Sequence, residues 1–417
     1  MKKKYAKIKL IIIAVMVVIG LCLTVFAFDI PGGSDRFLGF IGAMDTSAEI
    51  GESYKVTFTV DRSEDDVENS DINEGIEIIY GILTDYTSGY SDIRLVRSMS
   101  KGEEQIIAYV PNDTLTETFY DLFGEAKKLE GKTASGAVVI KNENIKAAQY
   151  TQDENGNYGV YIQFDSEGTA ALIKYEEDIT YTIDGESATG RVLNNMLFIY
   201  NDTIKASINE ASKATISLVA GKLPFKVSVS TTTIDALVGI NTKLYLKIAT
   251  GIMLACYIAY MVLRHRFLGL VSLLSAGIYF VVYCFVVQSI SITSLQLASF
   301  VAMIVAFIIF AIGIEYQLEK MENHFANGKK IPVSIKYGYK DSLFTLMDLH
   351  VTAFIVALVV LILGSRIIKA VSINLICGII ISTLLTMVVN KYFVKLLCDI
   401  YPKDKDCEKF NFKREEE

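Results

Sequence analysis

The chain has 417 residues, is 52% hydrophobic with a mean hydropathy of +0.37, and carries a net charge of −7. That hydropathy is too high for an ordinary soluble domain and too low for a chain lying wholly in a bilayer, so both kinds of segment are expected. The acidic balance, concentrated in the central polar segment, gives that segment no basic patch of the kind that binds nucleic acid.

The N-terminus is rich in lysine and runs into an apolar stretch over 8–28. Five more apolar stretches follow at 244–263, 267–287, 294–314, 351–363 with its flanks, and 371–393. Each is matched to about 30 Å of hydrocarbon at about 1.5 Å per helical residue. Val25, Phe26 and Ala27 offer a passable cleavage site. However, an apolar core of about 20 residues exceeds the roughly 7–15 of a signal peptide, so residues 1–28 read as an uncleaved anchor.

Between the first two stretches lies a polar segment large enough to fold by itself. From 29 to 241 there are 35 acidic and 17 basic residues, net −18, and the remainder has 12 and 23, net +11. Basic residues gather at 1–9, at Arg264-His265-Arg266, along 320–340 and after Lys391, with Arg366 and Lys369 as mild exceptions. The positive-inside rule places these in the cytoplasm, with both termini, and places the acidic body outside. The expected architecture is an α+β membrane protein, a six-transmembrane-helix bundle carrying a large extracytoplasmic β/α domain. Its parts are an anchor (1–28), an extracytoplasmic domain (29–242), a five-helix membrane region (243–397) with a cytoplasmic loop at 316–348, and a cytoplasmic tail (398–417).

Within the outer domain, YKVTFTV alternates with period two, placing Val56, Phe58 and Val60 on one strand face. INEGIEIIYGIL puts Ile76, Ile79, Tyr80 and Leu83 on one helical stripe. Two strands follow at 93–96 and 105–110, then a helix at 114–123 capped by Asp113. This βαββα order predicts a ferredoxin-like base at 29–131, with a head and return at 132–230. The run Asp153-Glu154-Asn155-Gly156-Asn157 opens like a calcium loop. Tyr158 stands where Gly is required and Phe164 where the bidentate acid belongs, so a hairpin turn is predicted. The sequons at Asn112 and Asn201 read as chance matches. No cysteine lies in the outer domain, so an ordinary core must hold it. There is no Walker loop, HExxH, CxxC or nucleophile elbow, so no enzyme, cofactor or metal is expected.

Four stretches carry a family likeness: "VVIKNENIKAAQYTQDENGNYGVYIQFDSEGTAAL", "LVAGKLPFKVSV", "ANGKKIPVSIKYGYKDSLFTLMDLHVTAFIVAL" and "GSRIIKAVSINLICGIIISTL". They resemble SecD, a protein-export membrane protein of the resistance–nodulation–division superfamily. The resemblance covers most of the chain past the anchor. It implies an accessory subunit of the Sec translocase, possible coupling to the proton motive force, and four partners: a SecF-like subunit, a SecYEG-type translocon, unfolded preprotein and membrane lipids. A non-motor scaffold and a lipid or small-molecule transporter of the same superfamily are the alternatives.

Departures from the family pattern bear on the chemistry. Of the glycine-rich signature near the anchor only Gly51 remains. Counting back without gaps from Gly328-Lys329 puts Ile312 at the family's membrane aspartate, and Glu319-Lys320 at its Glu-Arg. Glu315 lies three residues on, Asp348 matches the family's acid before the fifth span, and His350 replaces its Asn. Two readings follow. Glu315, Asp348 and His350 form a rewired proton relay, in which imidazole titrates near neutrality and a membrane carboxylate costs roughly 2.5–3.5 kcal/mol. Alternatively, Glu315 marks the inner interface, and the other two favour a helix start.

Overall fold

The computed structural model describes residues 2–413 except 30–35, 45, 63–66, 87–92, 101, 112–116, 155, 176–177, 291–294 and 404–406. The chain divides into two compact units, Met1–Gly51 with Ala236–Glu417, and Glu52–Ser88 with Ile93–Asp235.

The first unit is helical apart from a two-stranded ribbon, β1 (Phe28–Asp29) with β2 (Arg36–Phe37). Its helices are α1 (Lys2–Val25), α6 (Thr242–Ile290), α7 (Leu297–Ala326), α8 (Ile331–Leu363), α9 (Arg366–Leu384), α10 (Asn390–Ile400) and the short α11 (Cys407–Phe410). Five of these helical stretches are long and apolar enough to cross a membrane. The sixth expected span lies inside α6, whose 49 residues are broken at Arg266 (φ 50°, ψ −123°). A Cβ added at Gly269 would lie 2.0 Å from the Met261 carbonyl oxygen, an approach that eight residues of straight helix forbid. The chain therefore doubles back at Arg266, and residues 242–265 and 267–290 are separate antiparallel spans.

α1 packs on α6 where small residues let the backbones approach. A Cβ at Gly277 would lie 2.5 Å from Val17, and one at Gly20 would lie 3.2 Å from Val281. Residues 316–348, expected as a loop, are helical except for a turn at 327–330. α7 and α8 are about 45 and 50 Å long, so each carries several turns beyond about 30 Å of hydrocarbon. The mixed polar sequence there hides helix from a hydropathy reading, which finds spans rather than helices.

The second unit contains two antiparallel sheets. Strands β3 (Ser53–Val60), β4 (Arg94–Ser100), β5 (Glu103–Pro111) and β13 (Val227–Ile234) pair in the order β13-β3-β5-β4. With α2 (Asn69–Tyr86) and α3 (Glu117–Asp121), this is the ferredoxin-like arrangement read from the sequence. Its fourth strand, however, comes from beyond the head. Val56 and Phe58 on β3, Ile106 and Ala108 on β5 and Ile79 and Leu83 on α2 are fully buried together. The helical stripe is rotated from the expected one: Ile72, Gly75, Ile79, Ile82 and Leu83 face inward, and Tyr80 is exposed. Gly75 is needed there, because a Cβ would sit 2.4 Å from the Phe225 ring. Asp113, Asn112 and Asn155 lie outside the described residues.

The head is a seven-stranded sheet formed by β6 (Leu129–Thr133), β7 (Val138–Lys141), β8 (Ile145–Gln152), β9 (Tyr158–Phe164), β10 (Ile179–Ile183), β11 (Glu186–Leu193) and β12 (Met196–Tyr200), in the order β7-β6-β10-β11-β12-β9-β8. The β8–β9 pair is the predicted hairpin. Asp153 spends its carboxylate on the turn, accepting from the Asn157 backbone N–H at 2.8 Å and from its Nδ2 at 3.1 Å. Asp165 then caps α4 (Ser166–Lys174), accepting from the Gly168 N–H at 2.7 Å. A side chain at Gly168 would meet Phe164 and Asn144 Cβ atoms at 2.9 and 2.8 Å, which explains the FDSEG run. α5 (Ile208–Ala220) joins base and head, with Ile216 and Ala220 in the base core and Ala211, Ala214 and Leu218 in the head core.

Candidate functional site

Two polar clusters of the helical unit hold the candidate residues, one buried between helices and one at the Arg266 turn. The buried cluster begins on α7. Gln317 is 1% exposed, and its Nε2 donates to the Thr386 carbonyl at 3.0 Å. Between α9 and α10 the chain widens into a π-turn, Leu385–Val389, where the Asn390 amide reaches back to the Leu385 carbonyl. Asn390 Nδ2 donates to Gln317 Oε1 and lies 3.2 Å from the Tyr339 hydroxyl, while Ser275 Oγ donates to Asn390 Oδ1 at 3.3 Å. Four spans thus converge on uncharged amides and hydroxyls, each satisfied by another. An unpaired amide in hydrocarbon would cost several kcal/mol, about the scale that makes such a network specify one packing.

His350 lies beside this cluster, 2% exposed. Its Nδ1 is 2.8 Å from the Leu346 carbonyl and its Nε2 is 2.8 Å from Ser382 Oγ. The carbonyl accepts only, so Nδ1 carries the proton and Nε2 of the neutral ring accepts from the serine. On protonation Nε2 becomes a donor and the serine hydroxyl rotates to accept. Both charge states therefore keep two hydrogen bonds. Gly313 faces the ring: a Cβ there would be 3.6 Å from His350 Cε1.

The second cluster centres on Glu315. Tyr260 Oη donates to Glu315 Oε1 at 2.9 Å, and His265 Nε2 donates to Oε2 at 2.8 Å. The Glu315 side chain is 29% exposed and His265 only 2%. Arg264 adds an ion pair to Glu322 at 3.1 Å. These bonds clamp α7 to the turn between the second and third spans. The carboxylate thus ties α7 to that turn.

The structure does not assemble the expected relay. Glu315 lies two residues from Gly313, about 200° around α7, and points away from His350. Asp348 is exposed on α8 and has no hydrogen-bond partner among the described residues. Nor is either residue at a helix start: α8 begins at Ile331, nineteen residues before His350. Ile312 is 53% exposed on the outer face of α7, so its neighbour Gly313 is the residue facing the interior. Glu319 is exposed, and Lys320 Nζ lies 5.1 Å from the Tyr316 ring centroid. Gly51 is buried at the end of the first unit's N-terminal segment, where a Cβ would lie 2.1 Å from Thr46 Oγ1. Sequence reasoning missed Gln317, Asn390, Tyr339, Ser382 and His265. Ser382 and Asn390 stand as polar residues inside the apolar run 371–393, which was their available signal, whereas Gln317 and Tyr339 lie in mixed polar sequence beyond the apolar runs and carried none.

No protein-family model matches the chain. Among curated proteins it is 25% identical over 360 residues to the protein translocase subunit SecD of Acidaminococcus fermentans, covering 83% of this chain and 84% of that one. It is 24% identical over 313 residues to the SecD of Dictyoglomus turgidum, covering 72% and 77%. Among solved structures, the crystal structure of SecDF in its super-membrane-facing form superposes with a TM-score of 0.70 at 14% identity and covers 96% of this chain. The chain spans 58% of that SecDF chain. This multi-pass membrane protein thus shares the SecDF fold and is similar to SecD proteins along most of its sequence, as a divergent SecD would be.

Proposed function

We propose that the chain assists protein export as a SecD-type accessory subunit of the Sec translocase, and that its proton-responsive group is His350. The observation that carries the second statement is the ring's environment. It is buried between α8 and α9, hydrogen-bonded at both nitrogens, and opposite a serine able to serve either charge state. Among the described residues no Asp, Glu, Lys or Arg is buried in the helical unit. The charge distribution supports an orientation with both termini cytoplasmic and 29–242 outside. By the same family reading, the partners are a SecF-like subunit, a SecYEG-type translocon, the unfolded preprotein and surrounding lipid. Moving one charge across the field releases about 2.3 kcal/mol per 100 mV, enough to bias a two-state bundle.

The wholly neutral Gln317–Asn390–Tyr339 network favours one second reading, a scaffold without its own motor step. His350→Gln separates the two, because glutamine keeps hydrogen bonds and cannot titrate. Export into inverted vesicles, measured with and without an imposed pH gradient, loses its gradient-dependent part in the variant if His350 is the responsive group. An undiminished gradient response leaves the scaffold reading.

A further inference from the structure

The segment Cys407–Phe412 has no role in the site above, yet it is built into the helical core. Phe410 and Phe412 are 1% and 4% exposed, and their rings stack at 5.4 Å between centroids. Phe412 also lies on Phe325 at 5.3 Å. Gln317, Met321 and Phe325 follow one another at four-residue spacing along a single face of α7, and all three are buried. Phe325 is therefore about 12 Å along the helix from the amide of the buried polar network, with Met321 between them.

The segment's polar attachments all go to one place. Asn411 Nδ2 donates to the Arg264 carbonyl at 2.7 Å, and Arg266 Nη1 donates to the Glu408 carbonyl at 3.1 Å. Lys409 Nζ sits 5.5 Å from the Phe267 ring centroid. Asn411 adopts a left-handed backbone (φ 59°), a conformation in which asparagine is tolerated. Arg264, His265 and Arg266 are thus three successive residues serving four tethers. Arg264 and Arg266 hold the tail, Arg264 also holds Glu322, and His265 holds Glu315.

We infer that Cys407–Phe412 is a displaceable plug: its two phenylalanines, with Met321 and Phe325, seal the Arg266 end of the helical bundle from water, and its tethers couple that seal to the Glu315 clamp. The plug is local. It rests on two rings and two hydrogen bonds to backbone carbonyls, so it can open without the spans separating. Opening it brings water to within one helical turn of Gln317 and loosens the turn that holds α7.

The test uses the purified full-length protein in detergent and a water-soluble maleimide. One version keeps a single thiol at position 321 (Met321→Cys) with the six native cysteines replaced. The other keeps only the native Cys284, which is 1% exposed in the α6–α7 core. In Phe410→Ala/Phe412→Ala, labelling at 321 should rise at least about tenfold while Cys284 stays as slow as before, because only the local opening equilibrium has changed. Asn411→Ala, which weakens one tether and leaves both rings, should fall in between, and it carries the test alone if the double variant does not fold. An unchanged rate at 321 overturns the plug. Equal acceleration at 321 and Cys284 overturns it too, since the tail would then be a general prop of the bundle.

Discussion

Asn142 joins the head to α5 and offers the sharpest energetic test of the outer unit. It is 5% exposed. Its Oδ1 accepts from the Leu129 N–H at 2.7 Å, and its Nδ2 donates to the Leu218 carbonyl at 2.7 Å and the Lys127 carbonyl at 2.9 Å. Asn142→Ala removes three hydrogen bonds, each worth about 1 kcal/mol net, and leaves buried backbone groups at Leu129 and Leu218 without partners. Gly221 closes the site, with a Cβ there only 2.4 Å from Asn142 Nδ2, so the backbone has little room to find substitutes. The expected loss is about 2–4 kcal/mol. Asn142→Asp should be worse than alanine. It keeps the acceptor for Leu129, but sets a carboxylate oxygen against two carbonyls. Pulse proteolysis of the full-length protein across a urea series, scored by cleavage within the β-rich unit, reads the difference. A loss under about 1 kcal/mol for alanine, or an aspartate variant as stable as wild type, would refute the reasoning.

Burial, reinforced by Asp85 and Tyr150, raises the Tyr86 phenol to about 12. The folded state then keeps its proton while the unfolded chain loses it near 10, so stability is full below that pH and falls as pH rises from 10 towards 12. Tyr86→Phe should flatten that alkaline limb of the unfolding curve. In the helical unit, a Cβ at Gly338 would lie 2.6 Å from Met321 Cγ and 2.8 Å from its backbone N. Gly338→Ala should therefore cost about 1–3 kcal/mol by forcing α7 and α8 apart, visible as a lower melting temperature in detergent. Glu315→Gln should lower the melting temperature by weakening the His265 tie, yet leave the gradient-dependent part of export unchanged. A lost gradient response there would return Glu315 to the proton path.

The parts of the fold legible in the sequence are those where pattern and burial coincide. Val56, Phe58 and Val60 alternate in YKVTFTV and are buried on one face because β3 is central in its sheet. β13 was hidden because it is an edge strand, SVSTTTI-like in its hydroxyl content, and its pairing with β3 closes across the whole inserted head. The spans were visible in hydropathy, but the helical continuation through 316–348 was not, since Glu, Lys and Asn there suit a solvated helix as well as a loop. Glu315 was visible as an unusual residue, whereas its partner His265 lies fifty residues earlier, at a turn whose geometry depends on Gly269 meeting Met261. The π-turn before Asn390 has no sequence signature at all, and it is what frees the Thr386 carbonyl for Gln317.

A part in export is tested most directly by removing the chain from the cell that makes it. In pulse-chase labelling of a secreted precursor, the depleted cell should convert precursor to its exported, protease-accessible form several-fold more slowly, and the wild-type chain supplied in trans should restore the rate. Precursor exported at the same rate with and without the chain would contradict the account.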